Sequence, residues 1–307
     1  MKQYEYVAAI AKYGSISQAA DALDVAQPTL SKYLKKLESD LGVELFDRST
    51  IPLSMTKAGE KYVETGKQIL MLENELQKFI DEYNNRPSVI RVGISTSRSP
   101  YLMPVIIAAY QEKYPNHRIV ISEGKTDELQ KKLIHGDVDL IISLLDDESA
   151  AFEHIPLFNE DVLLAVPKIA AEKNSSVMEI LKNSPLITVG KGQVLWQSTQ
   201  GIIDTVDTKT PLIECQSVES ALAMVRCGLG VTLIPSYISE FGNAQNREIC
   251  FIKLPDELSE QVLKNGRRTV CVFYRREQFL SKAEKAFIEC AKEVKQLYSF
   301  QMQTNFT

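Results

Sequence analysis

Gln27-Pro28-Thr29-Leu30-Ser31-Lys32-Tyr33-Leu34-Lys35-Lys36-Leu37-Glu38-Ser39-Asp40-Leu41-Gly42 reads as one helix with two unlike faces. Pro28 stands at the first helical position, where its missing N–H costs nothing, and Gly42 is the residue type that closes a helix. Leu30, Leu34, Leu37 and Leu41 follow steps of 4, 3 and 4 residues, so at about 100° per residue they form one narrow stripe expected to face a core. The opposite side then carries Pro28, Lys32, Lys35 and Lys36, with Thr29 and Ser31 on the flanks near the N-terminal end. A lysine face standing alone is usually only solvated. This one does not stand alone. Upstream, a helix over roughly Gln3 to Lys12 ends at Gly14, and Ser17 can cap a short second helix running to about Leu23. Downstream, Val43 to Phe46, a turn at Ser49-Thr50-Ile51-Pro52, and Leu53 to Met55 read as a short β-hairpin. Helix, tight turn, lysine-faced helix and hairpin make a winged helix-turn-helix, whose third helix is expected to enter the major groove of double-stranded DNA.

The order Ala19-Ala20-x-x-Leu23-x-Val25-x-Gln27-Pro28-Thr29-Leu30-Ser31-x-x-Leu34-x-x-Leu37-Glu38-x-x-Leu41-Gly42-Val43-x-Leu45-Phe46-x-Arg48, ending Leu53-Ser54-Met55-Thr56-Lys57-Ala58-Gly59, closely resembles the LysR-type transcriptional regulators. The resemblance is continuous over about residues 3 to 65. It is weaker beyond, where Val218-Glu219-Ser220 and Val225-x-x-Gly228-Leu229-Gly230-Val231-Thr232-Leu233-Ile234-Pro235 match best. It implies a sequence-specific regulator whose C-terminal part, a two-lobed periplasmic-binding-protein-like domain, senses a small molecule. Two departures bear on DNA. Ile51 and Ser54 stand where the family often carries a wing cation, and Lys32 stands where it often carries Arg, which gives a point charge in place of a bidentate fork. The expected contacts are Gln27, Pro28, Thr29, Ser31 and Lys32 to base edges, and Lys35, Lys36, Arg48 and Thr56 to phosphates.

Thr56 can also cap a long helix from Lys57 to about Tyr83. Its positions Ala58, Tyr62, Thr65, Ile69, Leu72, Leu76, Phe79 and Tyr83 alternate steps of 4 and 3 residues, the spacing of a coiled-coil seam. Pairing with a second copy is favoured, because a two-fold dimer presents two recognition helices; packing on the chain's own C-terminal part is the alternative. A homotetramer through the C-terminal lobes is the expected assembly.

Asn84-Asn85-Arg86-Pro87-Ser88 marks a change of period, since Pro87 cannot continue a helix and disfavours α at Arg86. Beyond it the chain is expected to run strand Val89 to Ile94, helix Pro100 to Lys113, strand Arg118 to Ser122, helix Asp127 to His135 and strand Asp139 to Ser143, two βαβ units. A second set begins after Asp161 to Val166, with a strand at Leu186 to Val189, a helix from about Leu195 and a capped helix at Ser217 to Cys227. Two segments, near residues 161–166 and 267–271, are expected to cross between the lobes, as the resemblance also implies. The strand Thr269 to Tyr274 and the helix from Ser281 look too apolar to hang free and are expected to return to the first lobe. This gives a winged helix-turn-helix at 1–58, a linker and dimerisation helix at 59–87, and an effector domain at 88–307, with lobe I at about 88–162 and 268–307 and lobe II at about 163–267.

Parallel sheets bind ligands at the carboxyl ends of strands, beside helix N-termini. There this sequence carries Ser97, Arg98 and Ser99, then Thr126, then Ser143. The resemblance places the effector near Ser97, Ser99 and Thr126, with Gln193 from the second lobe. Hydroxyls at such places also simply cap helices. Arg98 makes an anionic effector attractive as a clamp; a solvated surface arginine is the equal alternative, and the other groups suit a neutral compound as well.

Composition sets outer limits. With 44% hydrophobic and 24% charged residues the chain is an ordinary globular one, and 307 residues exceed a single core. The net charge is −5, and residues 1 to 87 carry 11 Lys/Arg against 13 Asp/Glu, so any DNA footprint has to be local. No apolar run is long enough for a bilayer, and Met1-Lys2-Gln3-Tyr4-Glu5 is unlike a signal peptide, so a cytoplasmic protein without a membrane partner is expected. Cys215, Cys227, Cys250, Cys271 and Cys290 form no Cys-x-x-Cys pair and read as small buried hydrophobes, with redox sensing as the remainder. His117, His135 and His154 have no metal spacing, and no phosphate loop or dinucleotide fingerprint follows a strand, so neither an enzyme nor a cofactor is expected. The rival reading is a ligand-independent repressor or architectural DNA binder.

Overall fold

A computed structural model describes residues 2–145, 152–173, 176–190, 194–206, 212–241, 248–262 and 268–295. The chain divides into two compact units, one reaching Ser88 and including Ile134–Asp137, the other made of the rest from Val89 onward.

The first unit opens with α1 (Lys2–Tyr13), α2 (Ile16–Ala22) and α3 (Gln27–Leu41). Ser15, not Ser17, caps α2, accepting from the Gln18 N–H at 3.4 Å. Gly42 closes α3 in the left-handed conformation at φ 69°, where it carries no Cβ to be strained. Leu30 and Leu34 are buried with Val7, Ile10, Ala19, Ala20, Leu45 and Phe46, and Leu37 packs at the margin. The predicted stripe stops there. Leu41 is 46% exposed, while Glu38, on the flank of the stripe, is buried.

The wing is shorter than its sequence suggests. β1 (Phe46–Asp47) pairs antiparallel with β2 (Ser54–Met55), and Val43 to Leu45 form no ladder. Their place is set instead by Glu38, whose Oε1 accepts from the N–H of Leu45 at 2.9 Å and of Phe46 at 3.3 Å. α4 (Lys57–Tyr83) begins at the Thr56 cap, where the hydroxyl accepts from Gly59 N–H at 3.1 Å. Ala58, Tyr62 and Val63 pack into the winged-helix core, so the candidate seam begins further on. There Ile69, Leu72, Leu76, Phe79 and Tyr83 are exposed, Leu72 at 63% and Tyr83 at 80%.

In the second unit β3 (Val89–Ile94), α5 (Ser99–Lys113), β4 (Arg118–Glu123), α6 (Thr126–Ile134) and β5 (Leu140–Leu144) wind as the two expected βαβ crossovers, with β3 parallel to both neighbours. β6 (Phe152–Glu160) lies at the far edge of this sheet, and the chain leaves at Asp161. A second sheet then forms from β7 (Val162–Pro167), β8 (Leu186–Val189), β9 (Leu212–Cys215), β10 (Val231–Pro235) and β11 (Ile249–Lys253), in the order β11-β7-β10-β8-β9. Helices α7 (Lys168–Lys173), α8 (Val177–Asn183), α9 (Val194–Thr205), α10 (Val218–Arg226), α11 (Ser236–Phe241) and α12 (Asp256–Val262) alternate with these strands. β12 (Arg268–Arg275) returns to the first sheet between β5 and β6, antiparallel to both. α13 (Lys282–Lys292) follows it behind a complete Ser281/Glu284 capping box and packs Phe287 against Tyr110 of α5. Two mixed sheets sharing two crossings is the periplasmic-binding-protein-like architecture. The whole of β7 belongs to the second sheet and the whole of β12 to the first, which places the first crossing at Glu160-Asp161 and not along 161–166, and the second ahead of Arg268 and not along 267–271; residues 263–267 lie outside the described residues.

Candidate nucleic-acid interface and effector cleft

On α3 the side chains of Gln27, Pro28, Thr29, Lys32, Lys35 and Lys36 are exposed and Ser31 is half-buried. Ala26 precedes the helix without a side-chain cap, Pro28 has no N–H and the Thr29 N–H bonds back to the Ala26 carbonyl at 2.9 Å, so this end presents the side chains of Gln27 and Thr29 and the positive end of the helix dipole. This face joins donors, hydroxyls and three lysines, the groups that read base edges and bind phosphates.

Arg48 and Thr56 are placed differently. Arg48 Nη2 lies 2.6 Å from Glu38 Oε2. The Thr56 hydroxyl donates to the Glu44 carbonyl at 2.7 Å while accepting from Gly59, so it is committed to the cap of α4. Across the wing the hydroxyls of Thr50 and Ser54 bond at 2.9 Å, and Ile51 at its tip is wholly exposed.

In the second unit the loop before α5 and the start of α6 bring hydroxyls together. Ser95 Oγ and Ser97 Oγ are 3.4 Å apart, as are Thr126 Oγ1 and Ser143 Oγ. Ser99 and Ser143 are buried, and Ser97 and Thr126 half-buried. Tyr237, on α11 of the second lobe, donates its hydroxyl to the Ser97 carbonyl at 3.3 Å, so this loop lies where the lobes meet. Burial pushes the Tyr237 hydroxyl up to about 12, which keeps it a donor. Gln193 lies outside the described residues.

Arg98 is neither a solvated arginine nor a free clamp. It is buried, and its Nη2 meets Glu160 Oε1 at 3.0 Å and Oε2 at 3.2 Å, while Nη1 reaches Ser95 Oγ at 3.3 Å. Arg268, at the start of β12, meets the same carboxylate at 2.7 Å, and the Tyr237 ring lies 5.5 Å from the Arg98 guanidinium carbon. Burial works against the Arg98 charge; Glu160 and then Tyr237 more than offset it, and its pKa is raised. Arg98 Nε is buried without a partner. Glu160, Arg268 and Tyr237 were not singled out in the sequence, because each is far from Ser95–Ser99 along the chain. Glu38 had a local signal: at about 100° per residue it sits about 40° from Leu34 and about 70° from the middle of the stripe, on its flank.

The five cysteines are free. Cys271 and Cys290 are buried, as expected, but Cys227 is exposed and Cys215 and Cys250 are intermediate. Burial raises the thiol pKa of Cys215 and Cys290, and that of Cys271 to about 11. Among the described residues no group of His, Cys, Asp and Glu could hold a metal ion, and no helix is long and apolar enough to cross a membrane.

Residues 1–60 match the model of the bacterial regulatory helix-turn-helix proteins of the lysR family, and residues 84–296 match the LysR substrate binding domain. The chain belongs to the LysR family of transcriptional regulators. It is accordingly a DNA-binding regulator with an effector-binding domain, and not an enzyme. The DNA-binding transcriptional dual regulator OxyR of Escherichia coli is 30% identical over 240 residues, 77% of this chain and 79% of its own length. A full-length OxyR of Pseudomonas aeruginosa carrying a cysteine-to-aspartate substitution superposes with a TM-score of 0.67 at 25% identity, covering 96% of this chain and 94% of that one. The LysR family regulator CbnR, in full-length complex with its target DNA, has the same fold, with a TM-score of 0.62 at 19% identity over 95% of this chain and 99% of its own.

Proposed function

We propose that this regulator reads its operator through the N-terminal half of α3 and responds to a small polar molecule held between the lobes by the hydroxyl loops. The observation that carries the DNA part is the segregation of α3 into a buried leucine side and an open face of Gln27, Pro28, Thr29, Lys32, Lys35 and Lys36, with Ser31 at its margin. Gln27, Pro28, Thr29, Ser31 and Lys32 approach base edges, and Lys35 and Lys36 lie nearer phosphates. Gln27→Ala and Ser31→Ala then change sequence preference, whereas Lys36→Ala weakens all duplexes alike. Ser97, Ser99, Thr126 and Ser143 supply the effector contacts. With both terminal nitrogens of Arg98 engaged, an anion would have to displace Glu160 or Ser95, which favours a ligand that offers hydroxyls or carbonyls. Relatives named hydrogen peroxide-inducible genes activators make thiol oxidation the competing signal. Burial raises the thiols of Cys215, Cys271 and Cys290, which disfavours these three as oxidation sites, because the thiolate is the reactive form.

The domain limits supporting this reading are 1–58, 59–87 and 88–307, with lobe I at about 88–162 and 268–307 and lobe II at about 163–267. The exposed stripe of α4 makes a homodimer, the lobes extend it to a homotetramer, and the protein works in the cytoplasm. A thermal-shift screen of metabolites on the full chain tests the effector: a ligand at about 100 times its dissociation constant stabilises by about 2.7 kcal/mol. Ser97→Ala with Thr126→Ala abolishes that stabilisation and leaves affinity for DNA intact. A double variant that still responds at unchanged ligand concentration removes the hydroxyl loops as the site.

A further inference from the structure

We propose that Arg48 and buried Glu38 form a positioning pair that sets the wing and the start of α4 against the DNA-reading helix, so that Arg48 serves DNA binding through Glu38 and not as a phosphate contact. The inference rests on the reading of α3 as the helix that faces DNA.

Glu38 is 8% exposed, and its two oxygens have separate duties. Oε1 holds the N–H groups of Leu45 and Phe46, and Oε2 holds Arg48. On its other side the Leu45 peptide is held by α4, since its carbonyl accepts from Thr56 N–H at 3.0 Å. A Cβ at Gly59 would collide with that same carbonyl, so the first turn of α4 can approach only because residue 59 is glycine. One side chain of the reading helix thereby fixes, through a single peptide, where both the wing and the long helix begin.

Charge explains why residue 48 has to be cationic. A carboxylate this buried is costly without a counter-charge, and the backbone donors on Oε1 leave Oε2 to be met from outside. Arg48, at 39% side-chain exposure, closes the site from the solvent side. Its charge is balanced within the domain at 2.6 Å, so counterions released when DNA binds owe nothing to it. Lys35 and Lys36 have exposed side chains on the same helix and no such partner in the hydrogen-bond or ion-pair geometry of the described residues.

The test uses the full-length chain and a duplex that the wild type selects from a random-sequence pool. Affinity is measured over a range of salt for wild type, Glu38→Gln, Arg48→Gln, their double variant and Lys36→Gln, each with its thermal midpoint. Glu38→Gln keeps an acceptor for Leu45 and Phe46 but releases Arg48. It is expected to weaken binding as much as Arg48→Gln does, with the double variant no weaker than either. The salt slope in all three stays at the wild-type value, whereas loss of a phosphate contact lowers it by about 0.9. Wild-type or tighter binding by Glu38→Gln overturns the proposal, because a freed Arg48 would then be the better phosphate ligand. So does a slope lowered by about 0.9 in Arg48→Gln, and so does a reduced midpoint with unchanged affinity, which marks a purely structural pair. If the Glu38 variants fail to fold, the slope of Arg48→Gln decides. Lys36→Gln reports separately: a slope unchanged there sinks the assignment of the α3 face, whatever Arg48 does.

Discussion

A carboxylate taken out of water costs several kcal/mol unless cations or donors meet it, and Glu160 is met by two guanidiniums. It ends β6 at the point where the chain leaves the first sheet; Arg268 begins the strand that comes back, and Arg98 is the N-cap residue of α5. Glu160→Ala would leave two buried cations facing each other, and is expected to lower unfolding free energy by roughly 3–5 kcal/mol, the cost of breaking a buried pair. Arg98→Leu should cost less, because Arg268 still pairs the carboxylate. Urea denaturation of both variants checks the order; an equal or larger loss in Arg98→Leu means that Arg268 does not compensate. Nothing near Arg98 in the sequence announced this. A cation among serines ahead of a helix looks the same whether its partner is a ligand or a glutamate 62 positions away.

At the scale of elements, the end of α5 is fastened by His117, whose Nδ1 lies 2.7 Å from the Tyr110 hydroxyl and whose ring stacks on Tyr114 at 5.0 Å. Burial holds the His117 pKa below its ordinary value of about 6.5. A depressed folded-state pKa means that the unfolded chain binds the proton first, so this contribution is fully present above about pH 6.5 and is lost as pH falls through the folded value. Wild type should therefore lose more stability between about pH 7 and pH 5 than His117→Gln does, by chemical denaturation at each pH. Parallel curves would place the titration elsewhere. Strands were legible where a local apolar run stood out between helical stretches, and burial alone did not decide it. β7 and central β10, though apolar and buried, were not legible as strands, whereas β3, β5 and β8, apolar runs inside their sheets, and the edge strand β4 were readable as strands. β6, β9 and β11 were not, and all three are edge strands. β6 carries Pro156, which a strand tolerates only where a ladder hydrogen bond is missing, and its exposed residues blur the period.

For the whole molecule, the exposed apolar run of α4 is the feature that asks for a second copy. If the proposed seam pairs, Leu72→Asp with Leu76→Asp places charges in it and should disperse the proposed assembly in sedimentation, while each chain keeps its far-ultraviolet dichroism. Sedimentation equal to that of the wild type would move the interface away from α4. The sequence by itself determined the winged helix-turn-helix, the long helix, the break at Pro87 and the βαβ units, because each is written in local periodicity and in caps that act over a few residues. Only the tertiary structure decided that Ala58 and Tyr62 belong to a core and not to the seam, that Leu41 is outside and Glu38 inside, and that Arg98 is bound to Glu160. Those outcomes depend on which distant groups arrive to fill space or neutralise a charge, and no helical or strand period encodes that meeting.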